Sequence, residues 1–244
     1  MTAPAAAPPT LGRRALAEFI GTGLLVAAVI GSGIAASTLT PDDVGLQLFE
    51  NAAATGAALV AIILAVGPVS GAHLNPVITL LDRAFGGITN REVGAYIVAQ
   101  FAGGAVGAML ANLMFELPAV EISTHVRTGS GPWLGEVIAT FGLALVVFGV
   151  VRSGRGAAAP FAVGAYIAAA YFFTSSTSFA NPAVTVARTL TDTFAGIAPA
   201  SVPAFVAFQL VGAAIAIGAI HVLYPDAEDV AERLVVPHEG PIDR

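Results

Sequence analysis

Cysteine is absent from the 244 residues, which excludes disulfides, thiolate metal sites and cysteine nucleophiles. Charge is also scarce, at 11% of the chain, where ordinary soluble domains carry about a quarter. Lysine is missing altogether, so the ten cations are all arginine, and sixteen acidic residues leave a formal charge of −6. There is no broad basic surface for nucleic acid. His73, His125, His221 and His238 stand apart, with no second ligand at metal spacing. The hydroxyl-rich stretch from Thr174 to Ser178 has neither an elbow around a nucleophile nor a His/Asp partner, so hydrolase chemistry has no support. Nothing points to an enzyme, a cofactor or a bound metal.

What the chain has in abundance is apolar length. Hydrophobic residues make up 56% of it and its mean hydropathy is +0.83. Six windows are long and apolar enough to cross a bilayer: 15–38, 47–67, 93–115, 133–151, 157–177 and 199–223. Two shorter apolar pieces, 75–85 and 181–190, begin at Asn75 and Asn181 and soon meet charged residues. As helices of about ten residues they reach roughly 15 Å, half of a ~30 Å hydrocarbon core, and cannot span alone. The fold class expected is therefore an all-α membrane protein of six transmembrane helices and two re-entrant half-helices. The Ala/Pro/Thr-rich residues 1–14 read as a disordered leader, 116–132 as an outer loop and 224–244 as a polar tail. Arg13, Arg14, Arg83, Arg91, Arg152, Arg155 and Arg233 fall in alternate connections, so the positive-inside rule places both termini in the cytoplasm of a cell-membrane protein.

The chain also repeats itself. Glu18-Phe-Ile-Gly-Thr22 is echoed by Glu136-Val-Ile-Ala-Thr140, Asn75-Pro-Val-Ile-Thr79 by Asn181-Pro-Ala-Val-Thr185, and Tyr96-Ile-Val-Ala-Gln100 by Phe205-Val-Ala-Phe-Gln209, in one order and at nearly one offset. The first copy covers 15–115 and the second 133–223. Three full crossings per copy make the second enter from the opposite side, an inverted repeat that sets its site at the midplane.

Asn followed by Pro is a strong helix start, because the Asn oxygen caps free amides and Pro at the first position loses no bond. Asn75-Pro76-Val77 and Asn181-Pro182-Ala183 would then turn two side-chain NH2 groups toward one central point, backed by the positive ends of two helix dipoles. The approach segments, expected extended, would supply acceptor carbonyls from Gly71, Ala72, His73 and Leu74 on one side and Thr177, Phe179 and Ala180 on the other. Irregular backbone at this depth must line a watery cavity or be covered by protein. Neutral hydroxylated molecules could exchange hydration for these groups, whereas cations would be repelled. Glu18 and Glu136, one turn inside their spans, either accept hydrogen bonds from the loop amides or, in a proton-coupled secondary transporter of small solutes, change partners during transport.

Ser70-Gly-Ala-His-Leu-Asn-Pro-Val77 and Phe179-Ala-Asn-Pro-Ala183, with the two glutamates, resemble the aquaporin and aquaglyceroporin channels of the major intrinsic protein family over 15–223. The resemblance implies a homotetramer in the lipid bilayer, each right-handed protomer passing water or small neutral solutes passively and without cofactor. Such channels narrow at a filter that usually holds an arginine three residues after the second Asn. Here that position is Val184, and counting assigns the rest of the filter to Thr55, Ala169 and Ser178, a lining with neither ring nor guanidinium. It is wider than water requires and suits polyols of glycerol size, urea or neutral metalloid hydroxides such as arsenite. Channels lacking the arginine are similar to those associated with bacterial arsenic resistance. Val77 stands where the family more often has Ala. Arg188, almost two turns past Asn181, either forms an outer cationic mouth or serves as an interfacial anchor or Asp192 partner. His73 contributes its carbonyl or a pH-sensitive imidazole at the inner entrance.

Overall fold

The computed structural model describes residues 8–224. Among them lie eight α-helices and no strand: α1 (Leu11–Leu39), α2 (Val44–Ser70), α3 (Pro76–Ala84), α4 (Asn90–Met114), α5 (Ser130–Arg152), α6 (Ala159–Phe173), α7 (Pro182–Ala187) and α8 (Val202–Leu223). Six are long and apolar enough to cross a membrane, while α3 and α7 are the two half-helices.

Local chemistry sets the boundaries. The Thr10 side chain caps α1, the Asp43 carboxylate accepts from Leu46 N at 2.9 Å to start α2, and Thr89 and Glu92 close a reciprocal capping box on α4. Gly71 ends α2 in the left-handed conformation, φ 86°, which a glycine adopts without Cβ strain. The expected leader is shorter than 1–14: helix begins at Leu11, and Arg14 is buried, its Nε donating to Tyr96 Oη at 2.8 Å while its Nη1 pairs with Glu92. A guanidinium with two such partners orders the first turn. The rest of the leader (1–7) and the tail beyond Tyr224 lie outside the described residues. Helix α6 stops at Phe173, so the apolar run to 177 ends in loop, and the second half-helix tightens into a 3₁₀ turn over Arg188–Leu190.

The duplication is visible in the packing. Within the first copy α1 packs on α2 and α4, and within the second α5 packs on α6 and α8. Between copies α2 lies on α6, while each half-helix touches the last helix of the other copy, α3 on α8 and α7 on α4. Small residues permit these crossings: a Cβ at Gly103 would lie 2.1 Å from the Phe19 carbonyl oxygen and one at Gly107 2.1 Å from that of Gly23. At the symmetric crossing a Cβ at Gly212 would lie 2.5 Å from the Val137 oxygen. Such close backbone approach is the usual way helices associate in lipid, where apolar burial alone supplies little preference. The α2/α6 contact uses Gly56 against Gly164, and this brings Thr55 opposite Tyr171.

Candidate functional site

The two half-helices start back to back. Asn75 Oδ1 caps α3 by accepting from Val77 N at 2.9 Å, and Asn181 Oδ1 caps α7 by accepting from Ala183 N at 3.0 Å and Val184 N at 3.3 Å. Their amide nitrogens cross between copies: Asn75 Nδ2 donates to Ala180 O at 2.7 Å and Asn181 Nδ2 to Leu74 O at 2.8 Å. Each NH2 therefore spends one hydrogen on the opposite loop and retains one for the cavity that both asparagines line. Sequence reasoning left both hydrogens of each amide and both carbonyls open to solute. The crossed bonds tie Leu74 and Ala180 into the joint instead.

The approach segments are not simply extended. Ala72, Leu74, Thr177, Ser178 and Ala180 have φ between 46° and 62°, a region unfavourable for residues with a side chain. Such backbone persists only when its surroundings over-determine it, and here two buried carboxylates do so. Glu18 accepts from His73 N at 3.0 Å, Leu74 N at 2.7 Å, Ser70 Oγ at 2.7 Å and Gln100 Nε2 at 2.8 Å. Glu136 accepts from Phe179 N and Ala180 N, both at 2.9 Å, and from Gln209 Nε2. Gln100 and Gln209 also reach Thr79 and Thr185, whose hydroxyls back-bond to the carbonyls of Asn75 and Asn181. Neither glutamate lines the cavity.

That cavity has a volume of about 460 Å³. Its wall runs from Val151, Gly156 and Pro68, at the face where α1 begins and α8 ends, past Gly71, Ala72, His73, Leu74, Asn75 and Asn181, to Thr55, Ser178, Phe179, Val184 and Arg188 toward the other face. Thr177 and Ala180 are not on it, and Pro76, Val77, Pro182 and Ala183 are buried behind the asparagines. The methyl groups of Val77 therefore do not face the lumen.

Two expectations about the wall require correction. Ala169 is exposed on the outside of α6 and contributes nothing to the cavity. The lining face of α6 is Val163, Ile167 and Tyr171 at intervals of four, and a residue two positions away is turned about 200° from it. The α6 residue beside Thr55 is Tyr171, whose hydroxyl is 3.2 Å from Thr55 Oγ1. Nor does the wall beside Thr55 lack a ring, which Tyr171 supplies; Arg188, one reading of which is an outer cationic mouth, also lines the cavity. Arg188 is 3% exposed, its Nε donates to Ala195 O, and its Cζ lies 3.5 Å from the centre of the Phe179 ring. It is neither a snorkelling anchor nor the Asp192 partner: the Asp192 carboxylate accepts from Thr124 N at 2.8 Å and from the Thr124 hydroxyl.

Toward the terminal face, His73 Nδ1 is 3.1 Å from Thr79 Oγ1 and its Nε2 is 3.5 Å from an Asp82 carboxylate oxygen. Asp82 lines the cavity, a role that reading it as the end of an apolar run missed. It is seven residues past Asn75, the same helical interval that brings Arg188 to the wall from Asn181.

A family model described as Major intrinsic protein matches residues 6–180. Aquaglyceroporin AqpS of Rhizobium meliloti (strain 1021) is 48% identical over 231 residues, covering 95% of this chain and 98% of that one. A probable aquaporin, AqpM of Archaeoglobus fulgidus, is 33% identical over 215 residues, covering 77% and 87%. Among solved structures the aquaglyceroporin of Plasmodium falciparum matches 90% of this chain and 99% of its own with a TM-score of 0.68, at 22% identity.

Proposed function

The chain belongs to the major intrinsic protein family, and from that premise we propose that its physiological cargo is larger than water: glycerol-sized polyols and neutral metalloid hydroxides such as arsenous acid. It is a multi-pass membrane protein and a passive channel for water and small neutral solutes, not an enzyme. The observation that carries the finer reading is Val184 in the cavity wall, three residues past Asn181, in the same cavity that Thr55 and Tyr171 line. An aliphatic side chain there leaves the narrowing, formed by Thr55, Tyr171, Ser178 and Val184, with hydroxyls on one side and methyl groups on the other. A polyol can hydrogen-bond along the polar side while its CH groups lie against the apolar one.

Conduction is an exchange of hydrogen bonds. A neutral solute gives up water one contact at a time to the Thr55 and Tyr171 hydroxyls, to the remaining hydrogens of Asn75 and Asn181, and to the carbonyls of Gly71, Ala72 and His73. An ion would surrender a hydration energy that these groups do not match. The proton-coupled carrier would need Glu18 and Glu136 to exchange partners, and both are committed to the loops away from the lumen. The reading further holds that four protomers assemble in the cell membrane with the terminal face cytoplasmic.

Proteoliposomes test it. Flux of glycerol and arsenous acid is expected to exceed that of empty vesicles, to stay linear with gradient and to ignore an imposed proton gradient. Water flux alone would refute the cargo; saturation with proton dependence would install the carrier.

A further inference from the structure

In this channel Val184 and Arg188 are one turn apart on the same half-helix and both reach the lumen. We infer that the exclusion of cations is separated from the selection by size: Arg188 is the charge barrier, placed outward of the narrowing that Thr55, Tyr171 and Val184 form.

Three features hold the guanidinium at the lumen. Its Nε donates to Ala195 O and its plane is carried over the ring of Phe179, a residue whose own backbone amide is gripped by Glu136. The two terminal amino groups make no hydrogen bond among the described residues, yet neither is sealed from solvent, so they open onto the cavity that Arg188 lines. No carboxylate neutralises it: Arg188 forms no ion pair among the described residues, and Asp192 is occupied by Thr124. A second cation, Arg127, stands 5.3 Å from the centre of the same ring, held by the carbonyls of Gly196 and Phe194, and adds to the positive potential of the outer mouth.

The physical consequence is a division of labour. A guanidinium beside Val184 would both repel cations and fill the bore. Moved one turn outward, it repels cations by charge while the bore remains as wide as Val184 leaves it. A net charge acts little on an uncharged solute, so neutral cargo is not obstructed.

The inference rests on the channel reading and is tested apart from it by measuring two fluxes on the same vesicles, glycerol by swelling and methylammonium by uptake. Wild-type protein is expected to pass glycerol and hold methylammonium at the level of empty vesicles. Arg188→Gln, which keeps a donor for Ala195 O without the charge, is expected to keep glycerol flux within about twofold and to raise methylammonium entry about tenfold or more, the scale on which one poorly screened charge acts. Arg188→Lys restores exclusion. Should Arg188→Gln fail to assemble, Arg188→Met, which keeps an apolar stem over Phe179, is read in its place. Methylammonium entry unchanged in a folded neutral variant overturns the inference, as does a wild-type protein that admits methylammonium freely. Absence of glycerol flux from wild type would instead strike the cargo reading, leaving the cation comparison intact.

Discussion

Thr55 Oγ1 and Tyr171 Oη lie 3.2 Å apart, joining α2 of the first copy to α6 of the second at the outer part of the cavity. The phenol lines the cavity here, and Ala169, on the opposite side of α6, does not. Tyr171→Ala is expected to admit a longer polyol, such as xylitol, that wild type excludes. Ala169→Phe is expected to leave the solute profile unchanged. Stopped-flow swelling on a polyol series checks both, and a profile that shifts with Ala169 but not with Tyr171 would reverse the assignment.

If Val184 borders the narrowing as proposed, Val184→Arg sets a guanidinium in the cavity that Thr55 and Tyr171 line. It is expected to abolish glycerol flux while water flux persists, because a single-file water column needs less width than a carbon chain. Parallel swelling in glycerol and in a non-permeant osmolyte reads the two. Undiminished glycerol flux would show that position 184 does not border the passage.

Much of this arrangement is legible in the sequence. The capped Asn75 and Asn181, the paired Glu18 and Glu136 and the inversion all follow from a repeat and from helix-start chemistry, which act within a few residues. What escaped were relations set by tertiary path. Counting back from Asn181 to α6 crosses an approach loop whose length in space no count can know, so Ala169 falls two residues from the wall residue Tyr171. A cue was available: Val163, Ile167 and Tyr171 recur at intervals of four, and Tyr171 carries the only hydroxyl among them. Spacing puts Arg188 on the face of Asn181, but its aromatic partner Phe179 lies in the approach loop, and stacking across that loop is not encoded in spacing. Spacing alone offers the carbonyls of Leu74 and Ala180 to solute, because nothing local reveals that the opposite asparagine claims them.

Glu18→Gln and Glu136→Gln place an amide where two backbone N–H groups converge. One loop donor in each case then meets another donor, and an unpaired buried donor costs about 1–3 kcal/mol. Each variant is expected to lower the apparent melting temperature in detergent. In the protein that still folds, flux remains insensitive to a proton gradient. A variant of full stability that had lost gradient-driven transport would return these carboxylates to the carrier mechanism.

The α1/α4 crossing tolerates no Cβ at Gly103, where the added carbon would stand 2.1 Å from the Phe19 carbonyl oxygen. The obstacle is backbone, so the helices must separate. Gly103→Ala is expected to destabilise by about 1–3 kcal/mol, as overpacking of a tight interior does. Gly94→Ala, with nothing within 4 Å of the new carbon, serves as the control on the same helix. Equal melting temperatures for the two variants would mean that this approach is not a constraint.

Asp192 fastens the outer connection to the second half-helix. The Thr124 backbone amide, with the Thr124 hydroxyl, holds its carboxyl below the ordinary carboxylate range. A depressed folded value means that the stabilisation is complete above the unfolded value of about 3.9 and is lost only as pH falls through the lower folded one. Protease cleavage within the connection between α4 and α5 is therefore expected to be constant from neutral pH to about pH 5 and to rise only in stronger acid. Asp192→Asn, which removes the charge at every pH, is expected to show faster cleavage already at neutral pH. Opening of the wild-type loop between pH 7 and pH 5 would assign the latch to another group.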